Sequence, residues 1–253
     1  MPTARRTRID SLDCIVVDGG PSPQIAVVIC HGYGASYEDL APLSGEWIGL
    51  IGEQASKFRF YFPDAPHSLD DLGMPYGRAW WPVNMAQFAE AVEASKFDEL
   101  HSHEPPGIEE ARERLCRMIH AVLEDFEGGV APLVLGGFSQ GAMLAMDASL
   151  RGEIPAPQLL LQFSGTIICE DQWRRTLDRI KDSFVFQSHG KIDPILPYSS
   201  AVALHQLLVD AAITVDFHSF VGPHTIDMES VARTAQALAQ LAAADPGPSE
   251  PSS

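Results

Sequence analysis

Three residues, in one order along the chain, are equipped to do chemistry together. Ser139 stands in Gly137-Phe138-Ser139-Gln140-Gly141, Asp193 in Ser188-His189-Gly190-Lys191-Ile192-Asp193-Pro194, and His224 in Val221-Gly222-Pro223-His224-Thr225. A serine hydroxyl is a poor nucleophile until an imidazole takes its proton, and the imidazole needs a carboxylate to set its tautomer and stabilise its charge. The order Ser, Asp, His suits acyl transfer through a covalent serine intermediate. The glycines around Ser139 allow a sharp strand-to-helix turn that lifts the hydroxyl clear of the backbone.

Attack on a carbonyl places negative charge on its oxygen, which preorganised N–H donors must meet. The expected donors are the amide after the nucleophile, Gln140, and that of Tyr33 in the loop His31-Gly32-Tyr33-Gly34. Ser36-Tyr37-Glu38-Asp39 has the form of a capping box, which makes Asp39 structural. Other candidates are poorly placed. Asp216 falls inside an expected strand and Asp227 in the first turn of the last helix. His31 and His189 read as residues that tie down their own loops, His205 lies mid-helix, and His120 and His218 fit half-exposed positions. His101, His103 and Glu104 lack the further ligands a metal site needs.

These groups need a scaffold. Apolar runs at 14–17, 25–30, 58–62, 133–135, 159–163, 184–187 and 214–220 read as strands, several too continuously apolar for an exposed sheet. Helix-period segments lie between them, near 37–54, 108–126, 140–150, 171–179, 198–211 and 226–243. The alternation implies an α/β fold: a mostly parallel central sheet with helices on both faces and functional residues on loops at strand C-terminal ends. Residues 63–106 interrupt the rhythm with a long, proline-rich, aromatic connection that reads as a lid or pocket loop. The alternative for its second half, 84–96, is a surface helix packed on the domain.

At 253 residues the chain can bury one core, and residues 1–244 are expected to form a single domain. The stretch 245–253, rich in proline and serine, reads as a disordered tail. Seventeen Lys and Arg against 34 Asp and Glu leave a formal charge of −17, which repels nucleic acid and anionic membrane surfaces. No apolar stretch approaches the ~20 residues of a membrane span. The basic start leads into no apolar core of a secretory signal, so a cytoplasmic protein is expected. The four cysteines lack metal or redox spacing.

Together these motifs resemble the phospholipase/carboxylesterase family of α/β-hydrolases, which includes acyl-protein thioesterases and small carboxylesterases. The likeness lies in His31-Gly32-Tyr33-Gly34 with Asp39-Leu40, Arg78-Ala79-Trp80-Trp81, Gly137-Phe138-Ser139-Gln140-Gly141, His189-Gly190 with Asp193-Pro194, and His224. It implies a Ser139, Asp193 and His224 triad, an oxyanion hole from the Tyr33 and Gln140 amides, and no cofactor. It also places the apolar loop, with Leu72, Met74, Trp80 and Trp81, beside the acyl group. The chain departs from the family at Pro223 and Pro82, where a glycine and an acidic residue are usual, and in a longer segment after Trp81. The expected activity is hydrolysis of short- to medium-chain acyl esters, with a lysophospholipase or acyl-protein thioesterase as alternative. A non-catalytic binding protein on the same fold is the reading from a different class, and aromatics on the loop leave a homodimer open.

Overall fold

The computed structural model describes residues 3–84, 86, 90, 97–126 and 131–244. Eight strands form the main sheet: β1 (Thr3–Ile9), β2 (Leu12–Asp18), β3 (Ile25–Cys30), β4 (Phe58–Pro63), β7 (Leu133–Phe138), β8 (Leu159–Phe163), β9 (Phe184–Gly190) and β10 (Thr214–Phe220). A separate two-stranded ladder joins β5 (His67–Ser68) to β6 (Arg78–Ala79). The spatial order of the sheet is β1-β2-β4-β3-β7-β8-β9-β10. From β4 to β10 every neighbouring pair is parallel, while β1 and β2 join antiparallel at one edge. The central strands β3 and β8 are buried along their whole length, as their unbroken apolar sequences require.

Strand β1 is the element that apolar patterning misses. Thr-Ala-Arg-Arg-Thr-Arg-Ile has no buried face to announce it, and six of its seven residues are exposed. Its arginines cover an open sheet edge that would otherwise invite pairing with another chain. A second departure lies at 37–54. The expected single helix divides into α1 (Tyr37–Leu40) and α2 (Pro42–Ile51), because Pro42 takes the first helical position, where its missing N–H costs nothing.

Helices α3 (Ile108–Glu124), α4 (Gln140–Arg151), α5 (Glu170–Thr176) and α6 (Tyr198–Asp210) cover one face of the sheet. Their buried side chains, Leu115, Ile119, Leu144, Trp173 and Leu204 among them, share a core with Val16, Val28, Leu160 and Val185. The other face is covered by α2 and α7 (Met228–Ala243), where Trp47 and Leu238 pack with Phe58, Phe60 and Phe163. Trp47 Nε1 donates to Thr234 Oγ1 at 2.9 Å, joining these two helices. Among the described residues no helix is long and apolar enough to cross a membrane. The expected tail, 245–253, lies outside the described residues, as does most of the expected helix at 84–96.

Topology brings the site together. The chain order reverses at β3, which has β4 on one side and β7 on the other, so the C-terminal ends of β3 and β7 adjoin, with Cys30 opposite Gly137. The loop beginning at His31 therefore stands beside Ser139. Gly190 and Phe220 are likewise partners at the ends of β9 and β10, which sets the Asp193 loop beside the His224 loop.

Candidate active site

Ser139 occupies the turn between β7 and α4 with φ 54° and ψ −118°, a conformation that a non-glycine residue adopts only when its surroundings enforce it. Its amide donates to Phe163 O at 2.9 Å, and its carbonyl accepts from Ala142 and Met143 at the start of α4. These bonds lock the strained turn. Among the described residues no protein acceptor takes the amides of Tyr33 and Gln140, two residues that line the cavity that holds Ser139.

His224 also lines this cavity, with its ring centroid 4.6 Å from that of Phe138. Its Nδ1 lies 2.6 Å from Asp193 Oδ2, so Nδ1 carries the proton toward the carboxylate and Nε2 is the nitrogen left for a substrate or nucleophile. No hydrogen bond joins Ser139 Oγ to His224 in this structure. The Asp193 side chain is fully buried. Its Oδ1 accepts from the amides of Ile195 and Leu196 at 2.8 and 2.9 Å, a turn that the extended residue before Pro194 favours. Burial pushes the Asp193 carboxyl up, but bonds from His189, His224 and the Leu196 amide outweigh it and hold the group well below the usual carboxylate range.

That direction has a consequence for acid stability. With a folded pKa below its unfolded one, Asp193 stabilises the fold above about pH 4, and the contribution is lost as pH falls toward the depressed value. Thermal melts of wild type and Asp193→Asn are expected to differ most near neutral pH and to converge below about pH 4. A gap that stays constant from pH 7 to pH 3 would contradict the depressed carboxyl.

The Gln140 side chain does a job that its place after Ser139 does not suggest. Buried at 3% exposure, its Oε1 accepts from Trp80 N and its Nε2 donates to Trp81 O, both at 2.9 Å. The Ser139 turn and the Trp-Trp segment are thereby fastened together. Behind the Tyr33 loop, buried His31 accepts from Ala65 N at 3.0 Å through Nε2, so its proton resides on Nδ1 and is donated to Gly32 O at 2.8 Å. The 3.2 Å approach of Asp64 Oδ1 to the same Nε2 is therefore proximity of two acceptors, and Asp64 instead takes Tyr37 N and pairs with Arg78 Nε. Trp80 Nε1 completes the brace by donating to His31 O at 2.9 Å.

The cavity measures about 620 Å³, within the range of small-molecule sites. Of the four side chains expected beside the acyl group, only Trp81 lines it. Trp80 is wholly buried beneath the His31 loop, while Leu72 and Met74 are 66% and 39% exposed near the left-handed turn at Gly73. Apolar composition signals burial without saying against what. The wall comes instead from Phe138, Met143, Ile167, Ile168 and Leu196, none of which the sequence singles out as a wall residue. Asp39 also stands at this wall, although Ser36 caps α1 as expected by accepting from Glu38 N.

Other titratable groups that the sequence offered have partners of their own. His101 Nε2 is 2.9 Å from Ser200 Oγ, Glu104 pairs with Arg151, and His218 meets Asp227, the residue that caps α7. Among the described residues no group of three or more His, Cys, Asp or Glu is placed to hold a metal ion. All four cysteines are free and buried, and burial pushes their thiols up, Cys116 to about 11 and Cys14 to about 12.

The fold and the relatives agree. The sequence profile of the phospholipase/carboxylesterase family matches residues 13–242. Acyl-protein thioesterase 1 of Eremothecium gossypii is 30% identical over 186 residues, covering 72% of this chain and 71% of that protein. The Kluyveromyces lactis acyl-protein thioesterase 1 is 28% identical over 182 residues, 68% and 70% of the two chains. In three dimensions the chain is similar to esterase PE8, with TM-score 0.71, 24% identity and coverage of 94% and 98%. It is also similar to Zea mays acyl-protein thioesterase 2, with TM-score 0.65, 18% identity and coverage of 90% and 98%. With a profile match spanning nearly the whole domain, the chain belongs to the phospholipase/carboxylesterase family of α/β-hydrolases, enzymes that act on ester bonds.

Proposed function

We propose that this protein is a serine carboxylesterase for short- to medium-chain neutral acyl esters. Ser139 attacks the ester carbonyl while His224 Nε2 takes the hydroxyl proton, and the tetrahedral oxyanion sits between the Tyr33 and Gln140 amides. Collapse expels the alcohol, which receives the proton from His224. Water, deprotonated by the same imidazole, then releases the acyl group from Ser139. Asp193 stays ionised throughout and holds the Nδ1–H tautomer. The observation that carries this reading is the 2.6 Å His224–Asp193 bond in the cavity that also exposes a strained Ser139.

The wall supports the choice of substrate. Apart from its histidines, Asp39 is its charged residue among the described ones, and no lysine or arginine lines it. With a chain charge of −17, this disfavours anionic acyl or alcohol groups. An acyl thioester is the second reading, favoured by the two yeast relatives that carry that activity in their names. Labelling by a fluorophosphonate, followed by rates on graded neutral esters and matching thioesters, tests both. Labelling at Ser139 is the expected result, and an unlabelled Ser139 in folded protein would favour a non-catalytic binding protein instead.

The two tryptophans separate wall from scaffold. Trp81→Ala is expected to alter chain-length preference more than turnover of an acetyl ester, because each methylene in contact contributes about 0.8 kcal/mol. Trp80→Ala, by contrast, should lower stability by about 3 kcal/mol, as truncation of a buried aromatic does. Equal losses on acetyl and octanoyl esters in a folded Trp81→Ala would remove Trp81 from the acyl wall.

A further inference from the structure

His189 reads in the sequence as a residue that ties down its own loop, yet its ring reaches the reaction machinery. It is fully buried on β9, with Nε2 2.8 Å from Leu196 O and 3.2 Å from Asp193 Oδ2. Both neighbours are acceptors, so Nε2 must carry a proton, which it gives to Leu196 O with Asp193 Oδ2 close beside it. Leu196 also donates its amide to Asp193 Oδ1. His189 therefore holds the Asp193 turn at two points, its carbonyl and its carboxylate. Asp193 Oδ2 is the same oxygen that meets His224 Nδ1 at 2.6 Å.

We propose, on the reading of Ser139, His224 and Asp193 as a triad, that His189 is a positioning residue of the reaction. Its buried Nε2–H lies 3.2 Å from Asp193 Oδ2, the oxygen that His224 meets, and so sets both the direction of that oxygen and the negative charge it presents to the imidazole. The titratable groups around this junction are Asp193, His224 and Tyr198 of α6, whose ring lies 6.4 Å from that of His189. Among the described residues the buried His189 Nδ1 has no protein partner, so the hold on the Asp193 turn comes through Nε2. The hydrogen bond from His189 is also among the causes that keep the Asp193 carboxyl low.

The test is the pH profile of kcat and KM for His189→Leu and His189→Gln, with circular dichroism as the check on folding. In His189→Leu, kcat should fall about tenfold, the scale of one hydrogen bond to a charged group, with KM within about twofold. The midpoint of the acid limb should move upward, because a carboxylate relieved of one donor offers more charge to the His224 imidazolium. His189→Gln retains an N–H near the position of Nε2 and should recover most of kcat and return the limb to its wild-type position. If the leucine variant does not fold, His189→Asn, whose amide is too short to reach, replaces it in the comparison with glutamine.

A lowered kcat with an unmoved limb, equal in the donor and non-donor variants, would make His189 merely structural and overturn the proposal. Unchanged kcat in all variants would do the same. Ser139→Ala is measured alongside: an unchanged rate there defeats the triad itself. A Ser139-dependent rate that ignores His189 defeats only the positioning role.

Discussion

Ester turnover in Ser139→Ala is expected to fall by ~10³ or more relative to wild type, and His224→Ala to fall equally, without loss of the fold. In the proposed mechanism nucleophile and base act as one unit, so removing either would leave only what the Tyr33 and Gln140 amides and the cavity contribute. Their losses should not add: the double variant should be no slower than either single one by more than a few-fold. Both residues sit at loop or turn positions outside the two cores, so circular dichroism should match wild type. Replacing Ser139 also relieves no backbone strain, because alanine meets the same φ of 54°. Near-normal hydrolysis by folded Ser139→Ala would remove the foundation of the proposed mechanism.

Gly141→Ala is expected to have the second largest effect, and through the backbone alone. A Cβ at this position would lie 2.1 Å from Cys30 O and 2.5 Å from His31 O, both main-chain atoms at the end of β3. Neither can swing aside as a side chain would. The start of α4 must separate from β3, which pulls the Ser139 turn away from the loop that carries Tyr33. A displacement near 1 Å in a catalytic constellation can cost ~10²-fold in rate. Overpacking against backbone should also lower stability by about 3 kcal/mol. Thermal unfolding and ester turnover of the variant check the two effects together. A wild-type melting temperature with full activity would show that the approach of α4 to β3 is not needed.

Much of this was legible in the chain because it depends on local pattern. Runs such as Ile25–Cys30 and Leu159–Phe163 read as interior strands, and their alternation with helix-period segments implies the parallel sheet that is present. The positions of Ser139, Asp193 and His224 after expected strands were equally readable, since a parallel sheet sends its loops to one edge. β1 was not, because an edge strand that buries nothing leaves no apolar signature. The joint between α1 and α2 depended on how Pro42 would be used, as a breaker or as a first helical residue.

What the sequence by itself determined is therefore the family, the layered α/β architecture and the residue types from which a site could be built. The tertiary structure decided which of them meet. Trp80 and Trp81 are adjacent and chemically alike, yet one braces the His31 loop and the other faces the cavity. Leu72 and Met74 were as apolar as any wall residue and stand outside it. Ile167, Ile168 and Leu196 became wall because the loops after β8 and β9 both reach the same cavity. Gln140 and His189 gained partners 60 and seven residues away, Trp80 and Leu196, respectively. The physical reason is common to all of these. Hydrophobicity and hydrogen-bonding capacity are properties of one residue and oblige it to find a partner, but the partner is chosen by the crossing of distant segments, on which a one-dimensional pattern is silent.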